Sequence, residues 1–181
     1  MQRPYYLQSA SGRKAALRSR LMPDRGGFSL ADGLVRIDRD FKCANCGQIV
    51  STDPILSGVH NRNHCPYCLW SRHLDLFEAG DRLAACKAPM EPVGLTLKKT
   101  RKRYVREDQG ELMLVHVCMG CEKISINRIA ADDHPETISE VFARSLELDQ
   151  PWKARIEESG VRLLGATDGP RVRAQLAGWE I

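Results

Sequence analysis

The hydrophobic and polar positions in the middle of the chain follow a β-type pattern. Residues 93–117 read VGLTLKKTRKRYVREDQGELMLVHV, in which two apolar stretches flank a polar turn near EDQG. This pattern predicts two strands joined by a turn. Upstream, QIVSTDPILSG contains a short β-prone piece that is broken at Pro54, which favours a hairpin rather than a helix. The segment LWSRHLDLFEAGDRLAACK is predicted to begin a short helix.

The C-terminal part of the chain changes to a helical period. Apolar residues recur at spacings of three and four positions through Ile138, Val141, Phe142 and Leu146. This spacing marks one apolar face of a helix, which we expect to lie in the core. The acids before Pro135 are expected to cap this helix, and the proline fits its first turn. A second short helix is predicted in PWKARIEES, and RLLGATDGPRVRAQLAGWEI is predicted to form a strand, a turn and a final strand or helix.

Composition indicates an ordered, soluble chain. Hydrophobic residues make up 43% and charged residues 28%, and no apolar run approaches the roughly 18 residues of a membrane helix. The first 22 residues contain five basic side chains and no acid. That composition overlaps a mitochondrial transit peptide, but we favour a flexible basic arm. Because the apolar core of a secretory signal is missing, a cytoplasmic location is expected.

Seven cysteines, six of them in three CxxC pairs, predict metal sites. An odd count at these spacings is unlike a disulfide framework. The first two pairs are separated by 18 residues and comprise Cys43, Cys46, Cys65 and Cys68. They fit a four-thiolate zinc site, whereas a redox dithiol does not need a second pair at this distance. Gly47 can take the positive φ of a tight turn, and Pro66 presets φ in the second turn.

A second zinc site is predicted from the remaining cysteines and one histidine. Its cysteines are Cys86, Cys118 and Cys121. For the fourth ligand we slightly prefer His116 to His73, because His116 lies two positions before Cys118 on a predicted strand and shares its face. Either histidine can instead be a hydrogen-bonded structural residue. His64 adjoins Cys65, and we expect its ring to cap backbone groups or to face solvent.

Nucleic-acid binding is predicted from local charge, since a net charge of +4 is weak support by itself. The most positive run has six basic residues within nine positions: Lys98, Lys99, Arg101, Lys102, Arg103 and Arg106. These side chains can bind phosphate, although a solvated hairpin without a partner is the alternative. Arg62 is a further candidate for a phosphate contact, but arginine also fastens turns. Tyr104 or Trp70 can stack on a base or belong to the core.

The motifs around these residues resemble the RNHCP-domain family, which is named after the string that Arg62, Asn63, His64, Cys65 and Pro66 form. The resemblance extends from about Phe41 to Asp133. It includes FKCANCG, HNRNHCPYCLWSRHLD, the segment of Cys86, Met90 and Pro92, then HVCMGC and NRIAADD. The resemblance implies a small zinc-binding prokaryotic domain whose biochemical role is poorly defined.

These patterns together predict an α+β fold with small zinc-ribbon-like β-hairpin modules and a C-terminal helical segment. We expect a basic flexible arm and linker over residues 1–38, an RNHCP-like zinc-binding module over 39–133 and a helical extension over 134–181.

The favoured function is a zinc-stabilised RNA-binding protein rather than an enzyme, with the ribosome as the candidate partner. One alternative is a protein-interaction adaptor that uses the C-terminal helices. The other is a zinc-dependent nuclease of HNH type with His60 as its base and Asn63 orienting that histidine.

Overall fold

The computed structural model describes residues 40–98 and 110–178. The predicted basic arm and linker lie outside the described residues, and so do Lys99, Arg101, Lys102, Arg103, Tyr104 and Arg106. The described residues belong to one compact unit. None of the helices in the described part of the chain is long and apolar enough to span a membrane.

The helices and strands confirm the predicted α+β class, because the strands pair in antiparallel sheets and most of the helices follow the last strand. The strands are β1 (Phe41–Lys42), β2 (Ile49–Val50), β3 (Ser71–Arg72), β4 (Pro89–Lys98), β5 (Glu111–Cys118) and β6 (Ile124–Arg128). The helices are α1 (Pro54–Ser57), α2 (Pro135–Leu146), α3 (Gln150–Glu158) and α4 (Gly169–Ala177), with a 3-10 turn at Ala166–Asp168. The pattern of residues 93–117 is therefore confirmed as two strands, β4 and β5.

The strands form two antiparallel sheets. Strands β1 and β2 make a small hairpin, whereas the larger sheet has the order β3-β4-β5-β6. Leu95 of β4 is paired with Leu114 of β5. The register shifts between Pro92 and Gly94, where a proline cannot donate to the ladder. Gly94 also permits a close approach of α2, because a Cβ there would lie 3.0 Å from Cβ of Ser145.

One hydrophobic core joins the larger sheet to the C-terminal helices. Leu95 and Leu114 pack with Ile138 and Val141 of α2 and with Val172 of α4. Residues on both sides of the predicted boundary at 133/134 thus share this core. Along the predicted apolar face of α2, Ile138 and Val141 are buried and Phe142 is partly buried, while Leu146 is 38% exposed at the C-terminal end.

Residues 73–88 contain no helix, which corrects the prediction for this segment. Two carboxylates hold it as a loop. Asp81 accepts hydrogen bonds from the backbone amides of Leu76, Phe77, Glu78 and Leu83. Burial acts to raise the pKa of Asp81, but these amides outweigh it and hold the pKa well below its usual range. Asp75 accepts from the amides of Gly80 and Arg82. These carboxylates accept hydrogen bonds from backbone amides that would otherwise bond to carbonyl oxygens within a helix. The side chains of Asp75 and Asp81 therefore favour the loop over a helix.

Three further local predictions are corrected. In the segment around Pro54 the predicted β-prone piece is confirmed as β2 in a hairpin with β1, but the residues from Pro54 onward form α1, a single turn that Asp53 caps by accepting from Ile55 N at 2.9 Å. The acids before Pro135 do not cap α2, whose N-cap residue is His134. Residues 161–164 form no strand, although Leu164 N donates to Leu95 O at 2.9 Å. The helix predicted in PWKARIEES is confirmed as α3, and the last element is a helix, α4.

Candidate metal centres

The first two CxxC pairs converge on one point, which we call site A. The sulfur atoms of its four cysteines, Cys43, Cys46, Cys65 and Cys68, all lie within 4.8 Å of one another. The distance is 3.6 Å between the Sγ atoms of Cys43 and Cys68, and also between those of Cys46 and Cys65. Tetrahedral zinc with Zn–S bonds of about 2.3 Å places its sulfurs about 3.8 Å apart. The four thiols therefore fit a zinc ion, as the spacing predicts.

The three CxxC loops share one backbone geometry. In each loop the amide of the first cysteine donates to the carbonyl oxygen five residues later, and the amide four residues later donates back to that cysteine. The pairs for Cys43 are Gln48 O at 2.8 Å and Gly47 N at 3.0 Å. The equivalent partners are Trp70 and Leu69 for Cys65, and Lys123 and Glu122 for Cys118.

The residue that directly follows the second cysteine of each loop has a positive φ: 77° at Gly47, 59° at Leu69 and 59° at Glu122. Glycine adopts this conformation freely. Leucine and glutamate adopt it at a cost, which indicates that the surrounding structure holds these two turns in place.

Backbone amides in these loops point at the sulfur atoms. Burial acts to raise the pKa of the Cys43 thiol, but hydrogen bonds from the backbone of Cys46 and Asn45 outweigh it and lower the pKa. Burial likewise acts to raise the pKa of the Cys118 thiol, but hydrogen bonds from the backbone of Cys121 and Gly120 outweigh it and lower the pKa. Amides directed at sulfur favour the thiolate, which is the form that binds metal.

The remaining cysteines form a second cluster, site B, with His73. Its four members, His73, Cys86, Cys118 and Cys121, offer ligand atoms within 4.8 Å of one another. Cys86 Sγ lies 3.6 Å from Cys118 Sγ, and His73 Nδ1 lies 3.2 Å from Cys121 Sγ. Burial, with smaller contributions from Lys123 and Lys87, lowers the pKa of His73 and so favours the neutral ring that binds metal. Three sulfurs and one nitrogen are a donor set of structural zinc sites.

The preference for His116 as the fourth ligand is wrong, because both nitrogens of this ring are already used. His116 is fully buried; its Nε2 donates to Leu69 O at 2.7 Å and its Nδ1 accepts from Asn127 Nδ2 at 3.0 Å. Burial lowers the pKa of His116 to about 3, which keeps the ring neutral.

Arg62 is not a phosphate ligand, contrary to the prediction. Its side chain is 0% exposed and lies between two aspartates. Nη1 donates to both oxygens of Asp132 at 2.6 and 2.7 Å, Nη2 donates to Asp133 at 3.1 Å and Nε donates to the carbonyl of His64 at 3.1 Å. A buried guanidinium with these bonds cannot reach a phosphate without leaving two carboxylates unpaired.

His64 and Asp133 extend this buried network, so the expectation that His64 caps backbone groups or faces solvent is wrong. His64 Nε2 lies 2.8 Å from Asp133 Oδ2, and the side chains are 2% and 0% exposed. Asp133 also accepts from the amide of Ala130 at 2.8 Å. Nearby, Pro66 O accepts from His134 N at 3.2 Å. The RNHCP string thus fastens the second loop of site A to residues 130–134.

Sequence reasoning missed three members of this arrangement: Asn127, Asp132 and Asp133. The sequence predicts a helix cap for the acids and no role for the asparagine. The string NRIAADD, which takes part in the family resemblance, was the signal that contained all three. It lies more than 60 residues from Arg62, so no local spacing connects the two segments.

An α+β fold with two four-donor Cys/His clusters on tight CxxC loops defines a zinc-binding protein of the zinc-ribbon type. Residues 38–139 match the model of the RNHCP domain. Because this match covers more than half of the chain, the protein belongs to the RNHCP domain family, which confirms the resemblance. No curated protein and no solved structure matches the chain.

Proposed function

We propose that this protein is a zinc-stabilised RNA-binding protein of the cytoplasm that associates with ribosomes and catalyses no reaction. The observation that carries the proposal is the basic run from Lys98 to Arg106, which contains six basic side chains and no acid. Phosphate contacts from lysine and arginine supply most of the affinity of sequence-independent RNA binding.

The donor sets support a structural role for both metals. Site A offers four thiolates and site B offers three thiolates and one imidazole. Each set fills the four positions of tetrahedral zinc, so neither leaves a position at which water can be activated. The chemistry that zinc supplies here is the cross-linking of loops, and the function of the protein then depends on its surface.

The same donor sets argue against a nuclease of HNH type. His60 is exposed, whereas Asn63, its predicted orienting partner, is 9% exposed beside site A. His64 and Asp133 form a histidine–carboxylate pair, but Asp133 is also bound to Arg62 and both groups are buried. A general base must reach a proton of its substrate, and this pair is enclosed by protein.

The described part of the basic run is exposed and available. Lys98 is the last residue of β4, is exposed, and has no ion pair among the described residues. The rest of the run lies between Lys98 and Gly110. Gly110 is the first residue that the structure describes after this gap, directly before β5. An exposed end of β4 that leads into five further basic residues is a suitable place for phosphate contacts.

A protein-interaction adaptor is the second candidate. The C-terminal helices use their apolar faces in the core, since Ile138, Val141 and Val172 are buried there. Exposed apolar side chains occur instead on α1, where Ile55 is 86% and Leu56 is 60% exposed. A partner captured by the zinc-loaded chain that remains bound after ribonuclease treatment would favour the adaptor.

The test of RNA binding uses fluorescence anisotropy of a single-stranded RNA with the zinc-loaded full chain over a series of salt concentrations. The logarithm of the affinity is expected to fall with the logarithm of salt, by about 0.7 for each phosphate contacted. Lys98→Glu with Lys99→Glu should weaken binding and reduce this slope by about 1.4. Arg171→Glu with Arg173→Glu on α4 is the control of equal charge change and should have little effect. A flat salt response would overturn the proposal.

A further inference from the structure

Site B differs from site A in the support that its ligands receive. His73 Nε2 is the one buried side-chain nitrogen or oxygen of the described residues that has no hydrogen-bond partner within the protein. A histidine that binds metal through one ring nitrogen usually donates from the other, and loss of such a partner weakens metal affinity about 10- to 100-fold. His73 Nδ1 lies 3.2 Å from Cys121 Sγ, so Nε2 is the nitrogen that lacks this support. We therefore expect site B to hold its metal less firmly than the four thiolates of site A.

The sulfur atoms of site B are also more accessible. Cys86 and Cys121 are exposed and Cys118 is buried, whereas Cys46 is the only exposed ligand of site A. Cysteines that respond to oxidants are accessible thiolates next to a second cysteine that can close a disulfide. Cys86 meets both conditions, because its Sγ lies 3.6 Å from that of Cys118.

Cys86 is the one cysteine of the two sites that lies outside a CxxC loop. A disulfide brings two sulfurs to about 2.0 Å, so at least one of its cysteines must move. In site A the neighbours Cys46 and Cys65 both belong to CxxC loops that backbone hydrogen bonds hold. Cys86 instead precedes Lys87, whose φ of 53° is unfavourable for a lysine, in a loop without helix or strand. Movement of Cys86 therefore relieves backbone strain and breaks no CxxC turn.

We propose that site B is an oxidant-sensitive site, at which a peroxide modifies Cys86 and the metal is released while site A remains intact. The thiolate of Cys86 attacks one peroxide oxygen, the O–O bond breaks, and Cys86 becomes a sulfenic acid. The thiolate of Cys118 then attacks the sulfur of Cys86, and the S–O bond breaks. In sum, two thiolates, one hydrogen peroxide and two protons give one disulfide and two waters. Site B thereby loses two of its four donors.

The core of the protein does not depend on the loop that carries Cys86. Leu69 of the second CxxC loop packs in this core with Leu95 and Leu114, whereas none of residues 74–85 belongs to it. Oxidation is therefore expected to free the loop and to leave the core and site A folded. A reductant that cleaves the disulfide restores the ligands. The proposal is independent of RNA binding, and its tests use no RNA.

The first experiment adds hydrogen peroxide in small steps to the zinc-loaded full chain, with a chromogenic chelator to report released zinc. One zinc ion per chain should be released first, at least about tenfold faster than the second. Mass spectrometry after alkylation of the remaining thiols should identify a Cys86–Cys118 disulfide in this product. Dithiothreitol with added zinc should then restore two ions. Release of both ions at one rate, or a first disulfide that excludes Cys86, would overturn the proposal.

Two matched variants separate the sites. Cys86→His leaves site B with two sulfurs and two nitrogens, which is still a donor set for zinc, and should slow the first release about tenfold or more. Cys46→His makes the same change at the exposed cysteine of site A and should leave the first release unchanged. Elemental analysis before oxidation checks that each variant holds two ions; where one does not, the disulfide found in the wild-type chain decides. Equal slowing by both substitutions, or by neither, would contradict the assignment to site B.

Amide NMR of the ¹⁵N-labelled full chain tests whether the change is local. After release of the first ion, the signals of Gly120 and Glu122 in the site B loop should shift. The signals of Gly47 in site A and of Ile138 in the core should stay in place. Loss of the Ile138 signal together with the others would show general unfolding and would overturn a local response at site B.

Discussion

His116 Nε2 donates a hydrogen bond of 2.7 Å to the carbonyl oxygen of Leu69. Leu69 closes the second CxxC loop of site A with a φ of 59°, whereas His116 lies on β5 of the larger sheet. The last residue of the same strand is Cys118, a ligand of site B. Strand β5 therefore contacts site A through one histidine and contributes a cysteine to site B. This connection makes the two sites parts of one structural unit.

The identity of the fourth ligand of site B can be tested by metal content. His73→Ala is expected to lower the zinc stoichiometry from two to one, because site B loses its only nitrogen donor. His116→Gln is expected to retain two zinc ions, since the ring of His116 hydrogen-bonds to Leu69 and Asn127 instead. Elemental analysis of the purified variants measures both. Retention of two ions by His73→Ala, with loss of one by His116→Gln, would reverse the assignment.

The buried network around Arg62 should be essential for stability. Arg62→Met leaves the carboxylate of Asp133 without its guanidinium partner, in a side chain that is 0% exposed. Loss of one partner of a buried ion pair costs about 3 to 5 kcal/mol. Arg128→Met, which removes the exposed ion pair with Glu111, is the control and should cost less than about 1 kcal/mol. Denaturant unfolding of the zinc-loaded proteins gives both values; equal effects of the two substitutions would be inconsistent with a buried network.

Gly94 should tolerate no side chain, because α2 and the following loops pack against it. A Cβ at this position would lie 2.8 Å from Cδ2 of Leu163 and 3.0 Å from Cβ of Ser145. We expect Gly94→Ala to destabilise the protein by about 1 to 3 kcal/mol, as overpacked cores do. Gly165→Ala is the matched control, since no atom lies within 4 Å of its Cβ and its φ is −101°. Thermal melting that ranked the two variants equally would contradict the packing of α2 on β4.

The loop between His73 and Cys86 should depend on the charge of Asp81. Asp81→Asn retains the shape of the side chain but weakens four hydrogen bonds from backbone amides. At neutral pH we expect faster hydrogen exchange at Leu76 and Leu83 than in the wild-type protein, with no change in α2. Because the folded loop lowers the pKa of Asp81, the carboxylate stabilises the loop above its ordinary pKa of 3.8 and loses this effect as pH falls further. Glu140→Gln on α2 serves as the control.

Residue spacing in the sequence predicts those features whose residues lie close together along the chain. The two CxxC pairs of site A, and strands β4 and β5, followed from patterns within a few residues or within one hairpin. Such patterns do not show whether His73 or His116 is the fourth ligand of site B. The answer depends on Leu69 and Asn127, which hydrogen-bond to His116 only in the folded chain.

The network of Arg62 shows the same limit more clearly. Its partner Asp132 is 70 residues away in the sequence, and no periodicity relates the two positions. An arginine next to a metal-binding loop and two acids before a helix each have a reasonable local interpretation, as a phosphate ligand and as a cap. Only the packing of residues 130–134 against the RNHCP string reveals that these groups neutralise one another.

The zinc content and coordination of the purified full chain provide the most direct test of the two-site architecture. Elemental analysis combined with X-ray absorption at the zinc edge should give two zinc ions per chain. The two ions together should have seven sulfur ligands and one nitrogen ligand, four ligands to each ion, as the Cys/His clusters require. Fewer than two ions, oxygen atoms among the ligands, or cysteines oxidised to disulfides would contradict the assignment of two closed structural sites.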